Sequence, residues 1–132
     1  MIDNLLAQNL VPVIAPIACG EEAGHPGFNI NADSAASAIA IATQAKRAIF
    51  LTDTQGVLDK NGEIIESLNI GQTENLYQDG TISGGMIPKV EACLDCVKGG
   101  VEKAHIIDGR VPHSLLLELF TSAGIGTEFT AE

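Results

Sequence analysis

Positive charge is what this chain has least of. Its 132 residues include seven Lys and Arg against 17 Asp and Glu, a formal net charge of −10. That balance repels a nucleic-acid backbone or an anionic membrane surface, so neither is expected as a partner. Long hydrophobic runs are missing as well, none reaching the roughly 18 apolar residues of a membrane-spanning helix. Met1 to Leu10 has neither a basic start nor a cleavage pattern, which predicts no secretory leader. Cysteine is sparse and odd in number, three residues, and does not suit a secreted disulfide framework. Cys93-Leu-Asp-Cys96 has C-x-x-C spacing but falls in mid-helix, without a second pair or suitably placed histidines, so ordinary helix residues are expected there. His25, His105 and His113 likewise lack zinc-ligand spacing, and His105, inside an apolar stretch, reads as a hydrogen-bonded core residue. A soluble, cytoplasmic protein is the expectation.

What is present is enough to build a core. Apolar residues make up 45% of the chain and mean hydropathy is +0.22, which fits one globular domain over 1–132. Three short apolar runs, Val11–Ala18, Arg47–Thr52 and Ala104–Asp108, have strand length and turn residues at their ends. Each is expected to be a buried parallel strand. Helical patterns alternate with them: an alanine-rich stretch from Ser34 to Ala45, then Met86–Lys98 with Ile87, Val90, Leu94 and Val97 on one face, then Ser114–Ala123 stopped by Gly124. Strand and helix in alternation predict an α/β fold, a doubly wound, mainly parallel open sheet with helices on both faces. Gly56–Ile70, with Lys60-Asn61-Gly62 at its centre, predicts a small β-hairpin, and Thr73–Asp79 a short helix. Ile2–Ala7 looks like the tail of a helix already under way.

Open α/β sheets bind ligands beyond the carboxyl ends of their strands, so the residues following the apolar runs are the candidates. Asn29, Asn31 and Asp33 alternate and can project two amides and a carboxylate into one pocket, although Asp33 or Ser34 could equally cap the following helix. Their spacing is not that of an EF-hand, because Ser34 and Ala40 stand where its glycine and glutamate would be. Thr52, Asp53, Gly56 and Val57 combine groups that hydrogen-bond a ribose or purine edge with groups that make any tight turn. Arg110 can reach a ligand or pair with a surface carboxylate. Lys89 is the most informative residue. It lies one turn inside a helix opening with Gly84-Gly85-Met86-Ile87-Pro88, where the helix dipole disfavours a cation, and it is one of only seven cations. Free amides, two glycines and one ammonium make a phosphate site.

The order of these segments is more specific than any of them alone. NINADSAA (29–36), LTDTQGVLD (51–59), ISGGMIPKVEACL (82–94) and AHIIDGRVPHSLLLELFTSAGIGTEF (104–129) closely resemble the carboxyl-terminal half of acetylglutamate kinases, a branch of the amino acid kinase family, from about Leu5 to Phe129. The resemblance implies phosphorylation of the carboxylate of N-acetyl-L-glutamate by ATP, a step of arginine biosynthesis, with Mg²⁺ held mainly by the nucleotide. It makes Lys89 the lysine that stabilises the transferring phosphoryl group and Asp33 the aspartate that organises the catalytic lysines. Asn29, with Asn31 beside it, becomes a substrate contact. Thr52, Asp53, Gly56 and Val57, with Thr81, Ile82, Ser83, Gly85 and Met86, become the surroundings of the nucleotide.

His105, Glu118 and Gly124 fall where the arginine-inhibited branch binds its effector, although Glu118 also reads as a solvated residue of an amphipathic helix. The same resemblance implies a homo-oligomer in the complete enzyme, a PII-type signalling partner for relatives in photosynthetic organisms, and the plastid stroma as location in that case. An amino-terminal half with a second lysine, glycine-rich phosphate loops and a substrate-holding arginine is not seen in this sequence. Two alternatives stand beside the kinase reading: a non-catalytic module sensing nucleotide or arginine, and another member of the amino acid kinase family.

Overall fold

The computed structural model describes residues 1–132 apart from Ala23, His25, Ser122 and Ala123. A short helix, α1 (Ile2–Ala7), leads into an extended segment that ends in β1 (Ile17–Ala18), paired antiparallel with β2 (Phe28–Asn29). Helix α2 (Ala32–Ala42) follows because Asn31 caps it: the Asn31 side chain accepts from the amides of Asp33 and Ser34, so neither of those two is the cap. The alanine-rich sequence then propagates the helix at little entropic cost. Strand β3 (Arg47–Thr52) comes next, then a hairpin turn, β4 (Ser67–Asn69) and α3 (Ile70–Gln78). A reciprocal capping box between Asn69 and Gln72 starts α3. Helix α4 (Met86–Lys98), β5 (Lys103–Asp108), α5 (Ser114–Phe120) and β6 (Gly126–Thr130) complete the chain.

The main sheet has the order β3-β5-β6-β4. β3 runs parallel to β5 and β4 parallel to β6, while β5 and β6 are antiparallel, so the sheet is mainly parallel with one reversal. Side chains alternate across it. Ala48, Phe50, Ala104, Ile106, Leu68 and Phe129 join the core under α4, whereas His105 faces α5 through Glu118. Helix α4 is seated deepest, burying Val90, Ala92, Cys93, Leu94, Cys96 and Val97. Full burial of a Val or Leu side chain contributes roughly 1.5–3 kcal/mol, so α4 is anchored by its packing. Burial pushes the Cys93 thiol well up and that of Cys96 to about 11, which leaves both as inert apolar residues. At the far end, α2 and α4 come so close that a Cβ on Gly99 would stand 2.6 Å from Ile41 Cγ1.

Some expectations need correction. Only Ile17 and Ala18 of the run Val11–Ala18 form a strand, and it is antiparallel, with Ile17 exposed and Ala18 half-buried. A buried parallel strand needs a neighbour on each edge, and no strand of the described residues lies beside Val11–Ile14; Pro12 and Pro16 also remove donors. The hairpin is reduced to one antiparallel bridge, Leu58 to Ile64, flanked by Asp59 N–H to Glu63 and Ile65 N–H to Val57. Its far side becomes β4, which pairs parallel with β6. The end expected for α5, at Ala123, lies outside the described residues, as does His25.

Candidate functional site

Topology brings the candidate loops to one rim. β3 and β5 end there at Thr52 and Asp108, which pair in register. α2 and α4 each lead back to the start of one of these two strands, so their amino termini lie at the same rim. α3 leaves β4 at the opposite rim and returns the chain, placing residues 79–85 beside the start of α4.

At this rim Lys89 meets Asp33, its Nζ lying 3.1 Å from Oδ2 and 3.4 Å from Oδ1. The two residues are 56 positions apart, and their side chains are 24% and 22% exposed. Partial burial screens the pair less than a surface contact. The ammonium has three donors and Asp33 occupies only part of that capacity, so it can also face an anion from solvent. The expected row of free amides at α4 is shorter than the sequence suggested. Met86 and Ile87 donate back to Ser83 and Gly84 in a turn, and Pro88 has no N–H. The amides of Gly84 and Gly85 have no partner among the described residues, and Gly85 is exposed.

The segment after β3 is held from behind. Thr127 Oγ1 accepts the Val57 amide at 2.8 Å inside the core, and Gly56 sits so close that a Cβ would lie 2.7 Å from the same oxygen. Val57 is therefore a seat, with its side chain in the core, while Asp53 stays exposed and accepts from the Thr52 hydroxyl at 3.3 Å. Residues 81–86 are fixed in a comparable way. Asp79 accepts from the Thr81 amide (2.9 Å) and hydroxyl (2.6 Å) and pairs with Lys60 at 3.0 Å. These contacts, the Thr81 hydroxyl foremost, pull the Asp79 carboxyl down to about 2. Ile82 is buried and Met86 packs on the core, which leaves Thr81 half-buried and Ser83 exposed at the rim. Asn29 is exposed on β2 opposite Ile17, and the Asn31 oxygen is committed to its cap.

The third group also assembles. His105 Nδ1 lies 2.7 Å from Glu118 Oε1, and Glu118 Oε2 accepts the Ile125 amide at 2.8 Å. The side chains are 4% and 7% exposed, so Glu118 is a buried, partnered acid instead of a solvated one. Gly124, at φ +55, lies beside Glu118 and directly precedes the Ile125 amide that Glu118 accepts. A cavity of about 510 Å³ opens alongside, lined by Glu66, Asp108, Glu118, Gly124 and Glu128 among others. Arg110 does not reach into it as a lone cation; it grips Asp108 with two side-chain bonds and its own amide, and holds that carboxyl at about 2.

Sequence reasoning missed Thr127 and Asp79, the two residues that seat the rim loops. Asp79-Gly80-Thr81 carried a turn signal that could have revealed the second. Nothing in Gly126–Thr130 marked the first.

Comparison with known proteins follows the same outline. The amino acid kinase family pattern matches residues 1–108. An acetylglutamate kinase from Wolinella succinogenes is 70% identical over 97% of this chain, and one from a Sulfurovum species is 63% identical over 96%. The chain spans 45% of the length of each of these curated relatives. Among solved structures, N-acetylglutamate synthase from Neisseria gonorrhoeae, in complex with coenzyme A and L-arginine, superposes with a TM-score of 0.89 at 27% identity, covering 99% of this chain and 30% of that one. Carbamate kinase from Giardia lamblia, bound to AMP-PNP, superposes at 0.65 with 21% identity over 85% of this chain and 36% of that one, a likeness of fold. No helix among the described residues is long and apolar enough to cross a membrane. The match over residues 1–108, with 70% identity to a curated relative along 97% of the chain, shows that the chain belongs to the amino acid kinase family.

Proposed function

We propose that this chain is the nucleotide-binding half of an acetylglutamate kinase, transferring the terminal phosphoryl group of ATP to the carboxylate of N-acetyl-L-glutamate. The observation that carries this reading is the Lys89–Asp33 pair at the rim, in a sequence 70% identical to an acetylglutamate kinase. Bringing a carboxylate to a triphosphate sets anion against anion, and the transition state spreads charge over the transferring oxygens. Catalysis then rests on positioning and cationic stabilisation. Lys89 supplies an ammonium to those oxygens. Asp33 orients it by a charge-assisted hydrogen bond and takes no proton, because the nucleophile is already ionised. Thr52 and Asp53 on one side, Thr81 and Ser83 on the other, border the space for ribose and base, with Gly85 offering its amide. Mg²⁺ travels with the nucleotide's phosphates and neutralises part of their charge. The remainder of the acyl-amino-acid site, and further cations, come from the other half of the complete enzyme.

The test is phosphoryl transfer by the chain joined to the rest of the Wolinella succinogenes enzyme. Lys89→Ala is expected to lower kcat by about 10²–10³, the scale for loss of one transition-state donor, with circular dichroism unchanged. A variant that keeps most of the turnover refutes the role.

The acidic cavity beside Glu118 favours a second site in the same protein, an effector site for a guanidinium compound such as arginine. Four carboxylates line it and Glu118 is fixed by two hydrogen bonds. Calorimetric titration with arginine tests it, and saturable binding lost in Glu118→Gln supports it.

A further inference from the structure

Asn61, Asp79 and Asp108 each precede a glycine, and each carries a side-chain carbonyl that can close an imide ring on the glycine nitrogen. Two of them are poor electrophiles. Thr81 and Arg110 hold the Asp79 and Asp108 carboxyls at about 2, so both are ionised at neutral pH, and the amides of Gly80 and Gly109 donate to Tyr77 and Thr52. Asn61 instead carries a neutral amide, exposed at the hairpin tip. Nothing stands within 4 Å of the position a Cβ would take on Gly62, so a ring has room to form. Asp59 stands in the way. Its Oδ2 accepts from the Asn61 side-chain amide at 3.2 Å, and its carbonyl accepts from the Gly62 N–H at 3.0 Å. The first bond fixes the carbon to be attacked and the second engages the attacking nitrogen's proton, so reaction requires both to open. Oδ1 adds the amides of Asn61 (2.8 Å) and Glu63 (2.9 Å), so one residue fastens the whole tip.

We infer that Asn61 is a deamidation site held in reserve by Asp59, reacting only from the opened hairpin, whose population Asp59 keeps low. Hydroxide takes the Gly62 proton and the nitrogen bonds to Asn61 Cγ. The Cγ–Nδ2 bond then breaks, and Nδ2 leaves as ammonia with a proton from water. A second water opens the imide, giving aspartate when the Cγ–N bond breaks and isoaspartate when the bond from the Gly62 nitrogen to the Asn61 main-chain carbonyl carbon breaks. The net change is one water consumed and one ammonia released. Either product sets a third carboxylate beside Asp59 and Glu63 in place of a donor, and like charges repel there. Isoaspartate also lengthens the main chain by one carbon, which breaks the register of Leu58 with Ile64 and loosens the Ile65 amide from Val57, a bond of 2.8 Å. This inference is independent of the kinase reading.

The full chain is incubated at mildly alkaline pH, and peptide mapping by mass spectrometry follows conversion at Asn61, Asp79 and Asp108. Asn61 is expected to convert first. In the folded chain it does so at least about tenfold more slowly than in the chain unfolded by guanidinium chloride, the scale of two hydrogen bonds held closed. Asp59→Ala recovers about that factor, while slow amide exchange across β5 distinguishes loss of the brace from loss of the fold. Glu63→Gln removes a neighbouring charge and none of the guarding bonds, and leaves the rate unchanged. The converted chain, separated by its added negative charge, exchanges its Ile65 amide faster than the unconverted one. Conversion as fast folded as unfolded, a rate indifferent to Asp59→Ala, earlier conversion at Asp79 or Asp108, or unchanged exchange at Ile65 overturns the inference. Should Asp59→Ala fail to fold, the comparison of folded with unfolded wild type still decides it.

Discussion

Thr127→Val isolates the contact that seats the candidate nucleotide loop. The substitution keeps the volume and branching of the side chain but removes the oxygen that accepts the Val57 amide at 2.8 Å. Thr127 is 0% exposed and Val57 1%, so water cannot replace the lost acceptor without opening the core. A buried donor left unpaired costs about 1–3 kcal/mol, and relief from burying the hydroxyl itself offsets part of this, so a net loss of about 1–2 kcal/mol is expected. Urea unfolding followed by circular dichroism reads that loss as a lower midpoint at unchanged slope. Amide exchange at Val57 gives the local reading: about tenfold faster for each 1.4 kcal/mol. Thr127→Ser separates oxygen from methyl, because it retains the acceptor and so should leave Val57 as protected as global stability allows. Were Thr127→Val to match the wild type in both midpoint and Val57 exchange, the hydroxyl would not be what holds the loop.

Two further outcomes are expected. Asp79 and Asp108 both titrate near about 2 instead of 3.8, held down by Thr81 and Arg110 respectively. Between these values the unfolded chain binds more protons than the folded one, so their stabilisation is complete above about pH 4 and disappears as pH falls toward about 2; thermal melts should show that decline, and Asp108→Asn should flatten it. At Gly126 a Cβ would collide with the Ile106 carbonyl and lie 2.6 Å from Ile107 Cγ2. Gly126→Ala should therefore destabilise by about 3 kcal/mol, the upper range for overpacking, because the obstacle is backbone; a melting temperature equal to that of the wild type would contradict this.

Legibility in the sequence followed how much of each element is decided locally. Met86–Lys98 was readable to the residue because Gly85 precedes it, Gly99 follows it and its apolar period is regular. β3 and β5 were visible as dense apolar runs. β4 and β6 were not, since Ser67–Asn69 contains one apolar residue and Gly126–Thr130 one large one; they are strands because a neighbour supplies a ladder. The reverse error at Val11–Ile14 has the same origin. Apolar composition records a demand for burial, whereas strand geometry also requires an edge to pair with.

At the site, Lys89 stood out by its placement, yet nothing in the spacing linked it to Asp33; that link came from family resemblance. Asn31 was read as a ligand contact, with Asp33 or Ser34 as the alternative cap, whereas the structure makes the Asn31 oxygen itself the cap. Glu118 could not be told from a surface acid, because the partner that allows it to be buried, His105, belongs to another element.

The α2–α4 pair is pinned at both ends by contacts of different character. Near their starts the bond is ionic, Lys89 to Asp33, and near their ends it is steric, Gly99 against Ile41. Close packing of this kind does not respond to salt or charge, so it persists when the ionic contact is screened. Loss of the Lys89–Asp33 contact therefore leaves the close approach of Gly99 and Ile41 in place, so the alignment of the two helices does not rest on that ion pair alone.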